Sequence, residues 1–186
     1  MNFNTDFKYI SSSSEDTLNF AKKFAATLKK EDVIVLTGEL GSGKTKFVEG
    51  VLTFFGLENE ISSPTFTIVN EYQTPKFPIY HFDVYRLADT SEFYEIGGDE
   101  YFDNGVCLIE WGELINEALP KKYIHISFQK SDSDENSRII NVKRTGSKTL
   151  CQPVIADPQI SIANVKRTAA KRGTGFYTVC CLFLRH

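Results

Sequence analysis

The run Gly38-Glu39-Leu40-Gly41-Ser42-Gly43-Lys44-Thr45 matches the phosphate-loop pattern G-x-x-x-x-G-K-[ST] at every required position. The residue types divide the work of holding a nucleoside triphosphate. Glycines let backbone N–H groups wrap the phosphates, Lys44 brings a point charge to the β and γ groups, and the Thr45 hydroxyl is offered to Mg²⁺. All eight residues are therefore candidate nucleotide contacts. Such a loop also needs carboxylates to hold or orient magnesium and water.

Two acids stand on apolar runs. Glu110 follows Val106-Cys107-Leu108-Ile109, at the carboxyl end of an expected buried strand, the edge where open α/β sheets place their ligands. An ionised carboxylate there is costly without a cation, which favours a metal role; the alternative is a residue past the strand end, in water. Asp83 lies in His81-Phe82-Asp83-Val84-Tyr85-Arg86, where strand alternation puts His81, Asp83 and Tyr85 on one face and Phe82 and Val84 on the other. It reads either as an acid that binds Mg²⁺ through water or positions the attacking water, with Arg86 neutralising phosphate charge, or as half of a structural ion pair. His81 reads as a packed or hydrogen-bonded strand residue. Thr65, after the phosphate-loop helix, is placed for a switch whose hydroxyl closes on magnesium or the γ-phosphate; the plain alternative is a Ser-Pro-Thr turn. Trp111, the one tryptophan, is either a packing residue or a partner contact.

The elements that must position these groups follow from patterning. Val33-Ile34-Val35-Leu36-Thr37 is a β-branched apolar run of the kind that forms a fully buried strand, and it feeds straight into Gly38. Phe47, Val48, Val51, Leu52 and Phe55 then fall on one helical face, with Gly56 where a C-cap glycine belongs. Ser12-x-x-Glu15 is a capping-box pattern that predicts a helix over residues 15–29, packed on the sheet. Residues 62–72 and 79–85 read as antiparallel neighbours joined through Gln73-Thr74-Pro75-Lys76. Residues 91–96 are helical and break at Gly97-Gly98; residues 114–119 form a short helix stopped by Pro120; residues 123–128 and 138–142 alternate as strands around a charged tip at 131–136. The expected fold is an α/β P-loop domain with a mixed, parallel and antiparallel, central sheet flanked by helices.

At 186 residues and 41% hydrophobic content the chain suits one well-buried domain. It shows no apolar run of membrane-spanning length and no signal-peptide pattern at Met1, so the expectation is a cytoplasmic protein with no membrane role. Cys107, Cys151, Cys180 and Cys181 contain no C-x-x-C pair, which suggests neither a zinc site nor a disulfide framework. The net charge of −3 is uneven: residues 147–186 carry six basic residues against Asp157 alone, a +5 tail on a −8 body. The organisation expected is a P-loop domain at 1–146 and a basic extension at 147–186, either solvated or in contact with phosphate or an acidic partner. Asn141-Val142-Lys143-Arg144-Thr145 recurs as Asn164-Val165-Lys166-Arg167-Thr168, too isolated to imply a solenoid.

The phosphate loop with Leu36-Thr37 before it, Ser63-Pro64-Thr65-Phe66, His81-Phe82-Asp83-Val84-Tyr85-Arg86-Leu87 and Leu108-Ile109-Glu110-Trp111 resemble, in this order, the bacterial TsaE (YjeE) ATPases of tRNA threonylcarbamoyladenosine synthesis. The likeness covers roughly residues 12–146, including Glu95-Ile96-Gly97 and the ending Arg138-Ile139-Ile140. It implies ATP and Mg²⁺ as cofactors and ATP hydrolysis in complex with TsaB and TsaD, which reach the tRNA. It puts the family's nucleotide lysine and hydroxyl on Lys44 and Thr45, its magnesium-linked acids on Asp83 and Glu110, and its switch threonine on Thr65. Gly112 departs from a family proline, and the 147–186 tail has no counterpart. The rival functions are a small-molecule kinase, which needs an acceptor site and an arginine-bearing lid, and a nucleotide switch that does not hydrolyse.

Overall fold

Val33-Ile34-Val35-Leu36 offers no polar face to solvent, and its strand, β2 (Val33–Thr37), lies in the middle of the sheet with those four residues at 2% exposure or less. The computed structural model describes residues 3, 5–64, 67–131 and 134–146. Around β2 the elements run β1 (Phe7–Ser11), α1 (Ser14–Ala25), α2 (Lys44–Phe54), β3 (Val69–Tyr72), β4 (Ile79–Asp83), α3 (Thr90–Glu95), β5 (Val106–Glu110), β6 (Ile124–Lys130) and β7 (Arg138–Arg144). Short 3₁₀ helices occupy Gly98–Asp103 and Gly112–Ile115. One seven-stranded sheet has the order β1-β7-β6-β2-β5-β4-β3. Its centre, β6, β2, β5 and β4, is parallel, while β7 on one side and β3 on the other pair antiparallel. This is the mixed α/β architecture expected.

Strand periodicity divides the core between the two faces. Ile34, Leu36, Leu108 and Ile126 pack with Phe20 and Phe24 of α1 and Phe47, Val51 and Leu52 of α2. Val33, Val35, Phe82, Cys107 and Ile109 pack on the other side with Phe93 and Phe102. The same alternation puts His81, Asp83 and Glu110 on the α2 side, above the helix that begins at Lys44. The pairing of β4 with β5 sets Asp83 beside Glu110, and that of β2 with β5 sets Leu36 beside Glu110.

Several local expectations shift. The α1 cap is Ser13 rather than Ser12: its side chain accepts the Asp16 N–H at 3.0 Å, and the Asp16 carboxylate reaches past the cap to accept the Ser12 N–H at 3.0 Å, a variant of the capping box one residue later than read. The helix stops at Ala25, not at 29, where the Thr27 N–H and hydroxyl both turn back to the Phe24 carbonyl. The strand expected over 79–85 ends at Asp83 and is buried on both faces, because β3 and β5 flank it and α2 and α3 cover it; Tyr85 lies beyond it, 60% exposed. The segment expected as a helix at 114–119 forms only the 3₁₀ turn Gly112–Ile115. β1 has no counterpart in the sequence reading; Phe7-Lys8-Tyr9-Ile10-Ser11 becomes a strand by pairing with β7. Thr65, Phe66, the 147–186 extension and the second copy of the five-residue repeat lie outside the described residues.

The α1–α2 crossing depends on Gly50. A Cβ there would lie 2.5 Å from the Leu18 carbonyl oxygen and 2.6 Å from the Ala21 Cβ. The clash outweighs the helix-propensity gain from replacing glycine, so Gly50→Val is expected to destabilise the fold by about 3 kcal/mol. A thermal melt measures this, and an unchanged midpoint would contradict the close crossing.

Candidate nucleotide site

The phosphate loop leaves the carboxyl end of β2 and closes into α2. Gly38, Gly41 and Gly43 have φ of +138°, +72° and +111°, the left-handed side that side chains resist. At Gly38 a Cβ would also lie 2.4 Å from the Phe128 carbonyl oxygen, so glycine is required by close approach as well as by dihedral angle. Gly43 is the α2 N-cap with no side-chain cap bond, which leaves the first backbone N–H groups of the helix for an anion. Thr37 Oγ1 and His125 Nε2 are 2.8 Å apart, tying the base of the loop to β6.

Lys44 is only 4% exposed. Its ammonium donates to the Gly38 carbonyl at 2.7 Å and the Glu39 carbonyl at 3.1 Å, and sits 3.7 Å from the Trp111 ring centroid. Burial pushes its pKa below the usual lysine value, against the pull of Glu110, Glu113 and Asp83. Bound phosphates would add to that pull and favour the charged form.

Glu110, 3% exposed, is not a residue in water past a strand end. Both carboxylate oxygens are engaged: His81 Nε2 is 3.0 Å from Oε1, and the Thr45 hydroxyl donates to Oε2 at 3.0 Å. His81, 1% exposed, has no partner for Nδ1 among the described residues. An unpaired buried acceptor is tolerated better than an unpaired buried N–H, so the proton belongs on Nε2, donated to Glu110. Because Thr45 donates its proton to Glu110, its oxygen lone pairs are left for a cation. Asp83, 9% exposed, accepts the Tyr85 N–H at 3.2 Å and is anchored through its own N–H to the Ile68 carbonyl at 3.0 Å.

These groups line one cleft of about 500 Å³ that includes Gly41, Gly43, Lys44, Thr45, Asp83 and Glu110. Of the residues predicted from sequence, Leu40, Gly41, Gly43, Lys44, Thr45, Asp83 and Glu110 meet there, with Arg86 and Trp111 on the wall; Gly38, Glu39 and Ser42 of the loop do not line it. Leu40 is 83% exposed, whereas the Ser42 side chain is buried with an unpartnered Oγ among the described residues. The chemistry of the donors fits Mg²⁺: no group of three or more His, Cys, Asp or Glu is gathered among the described residues, but magnesium is ordinarily held by one or two carboxylates together with substrate phosphates and water.

Two features escaped the sequence reading. Ile68 and Trp111 both hold φ above +60°, at +66° and +61°, a costly conformation for such side chains. They flank the acids: the Ile68 carbonyl accepts from Asp83, and Trp111 follows Glu110. Of the three non-glycine residues at positive φ among the described residues, these two adjoin the acids; the third is Glu31. The second is Arg138, which lines the cleft and donates to the phosphate loop from β7; a strand-initial arginine carries no local sign of a partner 96 residues away.

Residues 11–140 match the family described as Threonylcarbamoyl adenosine biosynthesis protein TsaE. A tRNA threonylcarbamoyladenosine biosynthesis protein TsaE of Rickettsia bellii (strain RML369-C) is 44% identical over 134 residues, which span 72% of this chain and 92% of that protein. The protein of the same name from Bacillus subtilis (strain 168) is 40% identical over 148 residues, 79% of this chain and 92% of that one. The crystal structure of Bacillus subtilis YdiB superposes with a TM-score of 0.62 at 37% identity, covering 76% of this chain and 86% of the other. Among the described residues no helix is long and apolar enough to cross a membrane. With the match running from the last residue of β1 into the middle of β7, the chain belongs to the TsaE family.

Proposed function

We propose that the cleft binds Mg-ATP and hydrolyses it, and that hydrolysis supports turnover of a cytoplasmic tRNA threonylcarbamoyladenosine-forming complex with TsaB and TsaD, through which tRNA is reached. Residues 1–146 act as the ATPase unit, with 147–186 an extension outside it. The observation that carries the reading is the chain His81–Glu110–Thr45 at the edge of a phosphate loop whose lysine is already buried beside it. Magnesium, when bound, supplies charge neutralisation for the phosphates.

Each side chain then has a task. Backbone N–H groups of the loop and the start of α2 cradle phosphate, and Lys44 adds the point charge. Thr45 presents its lone pairs to the cation, and His81 with Thr45 keeps the Glu110 carboxylate fixed, facing the cation or its water. Asp83, beside Glu110 in the sheet, orients the attacking water. Thr65 serves as the nucleotide-sensing switch. A kinase reading finds less support, because residues 88–104, where an arginine-bearing lid would have to lie, carry no arginine and are held to the core by Phe93 and Phe102.

Purified protein assayed for phosphate release with Mg-ATP is expected to turn over slowly alone and faster with TsaB and TsaD, and to stop when EDTA removes magnesium. No phosphate release under either condition would overturn the reading, and transfer to a metabolite would favour a kinase.

A further inference from the structure

We propose that Arg138 is a positioning residue that holds the phosphate loop in its anion-binding conformation, an inference that rests on the nucleotide reading above. Its guanidinium bridges two stretches of chain far apart in sequence. Nε donates to the Ser42 carbonyl at 3.1 Å and Nη2 reaches the Gly41 carbonyl at 3.4 Å, both in the loop. Nη1 donates to the Glu135 and Ser137 carbonyls, at 2.6 and 2.9 Å, at the β6–β7 connection.

The consequence follows from peptide geometry. A trans peptide points its C=O and the next N–H in opposite directions. Holding the Ser42 carbonyl toward Arg138 therefore aims the Gly43 N–H away from the guanidinium, and Gly43 itself lines the cleft. The need for an outside clamp is built into the loop: Gly41 and Gly43, at φ +72° and +111°, lack the Cβ that would restrict their peptides. Arginine suits the task because its planar fork spans several acceptors at once, whereas lysine offers a point charge on a flexible stem. Four of its five N–H groups meet these main-chain carbonyls, which leaves little for direct contact with a ligand.

The full chain provides its own reporter, since its one tryptophan, Trp111, lines the same cleft. Mg-ATP and magnesium tripolyphosphate, which has no base or ribose, are titrated against Trp111 fluorescence in wild type, Arg138→Ala and Arg138→Lys, with thermal melts alongside. Both variants are expected to bind both ligands about tenfold more weakly while melting within a few degrees of wild type, because neither replacement bridges the loop to the connection. Wild-type affinity in Arg138→Lys would overturn the clamp in favour of a simple charge effect. A loss confined to Mg-ATP would overturn it in favour of contact with the nucleoside. If wild type itself binds neither ligand, the nucleotide reading falls and takes this inference with it.

Discussion

Lys44→Ala is expected to weaken Mg-ATP binding by a hundredfold or more and to leave no measurable hydrolysis. The ammonium is buried against the Gly38 and Glu39 carbonyls and the Trp111 ring, so its charge acts in a setting where water screens it poorly. Its removal also takes away the cation opposite Glu110 and Asp83, leaving two buried acids to face the phosphates. Calorimetric titration with Mg-ATP checks the binding and phosphate release checks the turnover. Near wild-type affinity in this variant would mean that the loop does not hold the triphosphate.

Glu110→Gln should behave in the opposite way, binding Mg-ATP within about threefold of wild type while hydrolysing at least a hundredfold more slowly. The substitution keeps size and leaves in place the loop glycines, the bonds of Lys44 to the Gly38 and Glu39 carbonyls, and Arg138. It removes the charge that the proposed mechanism sets toward the cation, and it disturbs the two bonds, from His81 and Thr45, that fix the carboxylate. Each donor meets a different carboxylate oxygen, and the amide turns one of those oxygens into an NH₂ donor, so one of the two bonds is lost. Asp83→Asn should share the pattern of retained binding and lost turnover. Single-turnover assays separate the chemical step from binding; a normal rate in either variant would remove that acid from the mechanism.

The contrast between these variants maps onto what could be read along the chain. The phosphate loop is contiguous, and its glycine spacing, lysine and threonine follow from local backbone requirements, so eight residues suffice to recognise it. The central strand and the face of α2 were equally legible, because burial on two sides or one leaves a periodicity in the residue types. Glu110 at the end of an apolar run and Asp83 on an alternating strand could be picked out as candidates, but not as neighbours. Their adjacency comes from the register of β4 on β5, which no local pattern encodes.

What remained hidden involves partners distant in sequence or conformations set by packing. His81 gains its task from a carboxylate 29 residues away, and Arg138 from carbonyls 96 and 97 residues away. β1 exists as a strand because β7 offers it an edge, and the left-handed backbones of Ile68 and Trp111 run against their own residue types. Short-range preferences act over a few residues and are written into the order of side chains, whereas these features arise when folding brings remote groups within bonding distance. The chain's order of residues therefore specified the cradle and nominated its acids; the mixed sheet arranged them around one cleft, brought Arg138 onto the loop, and set two left-handed residues beside the acids.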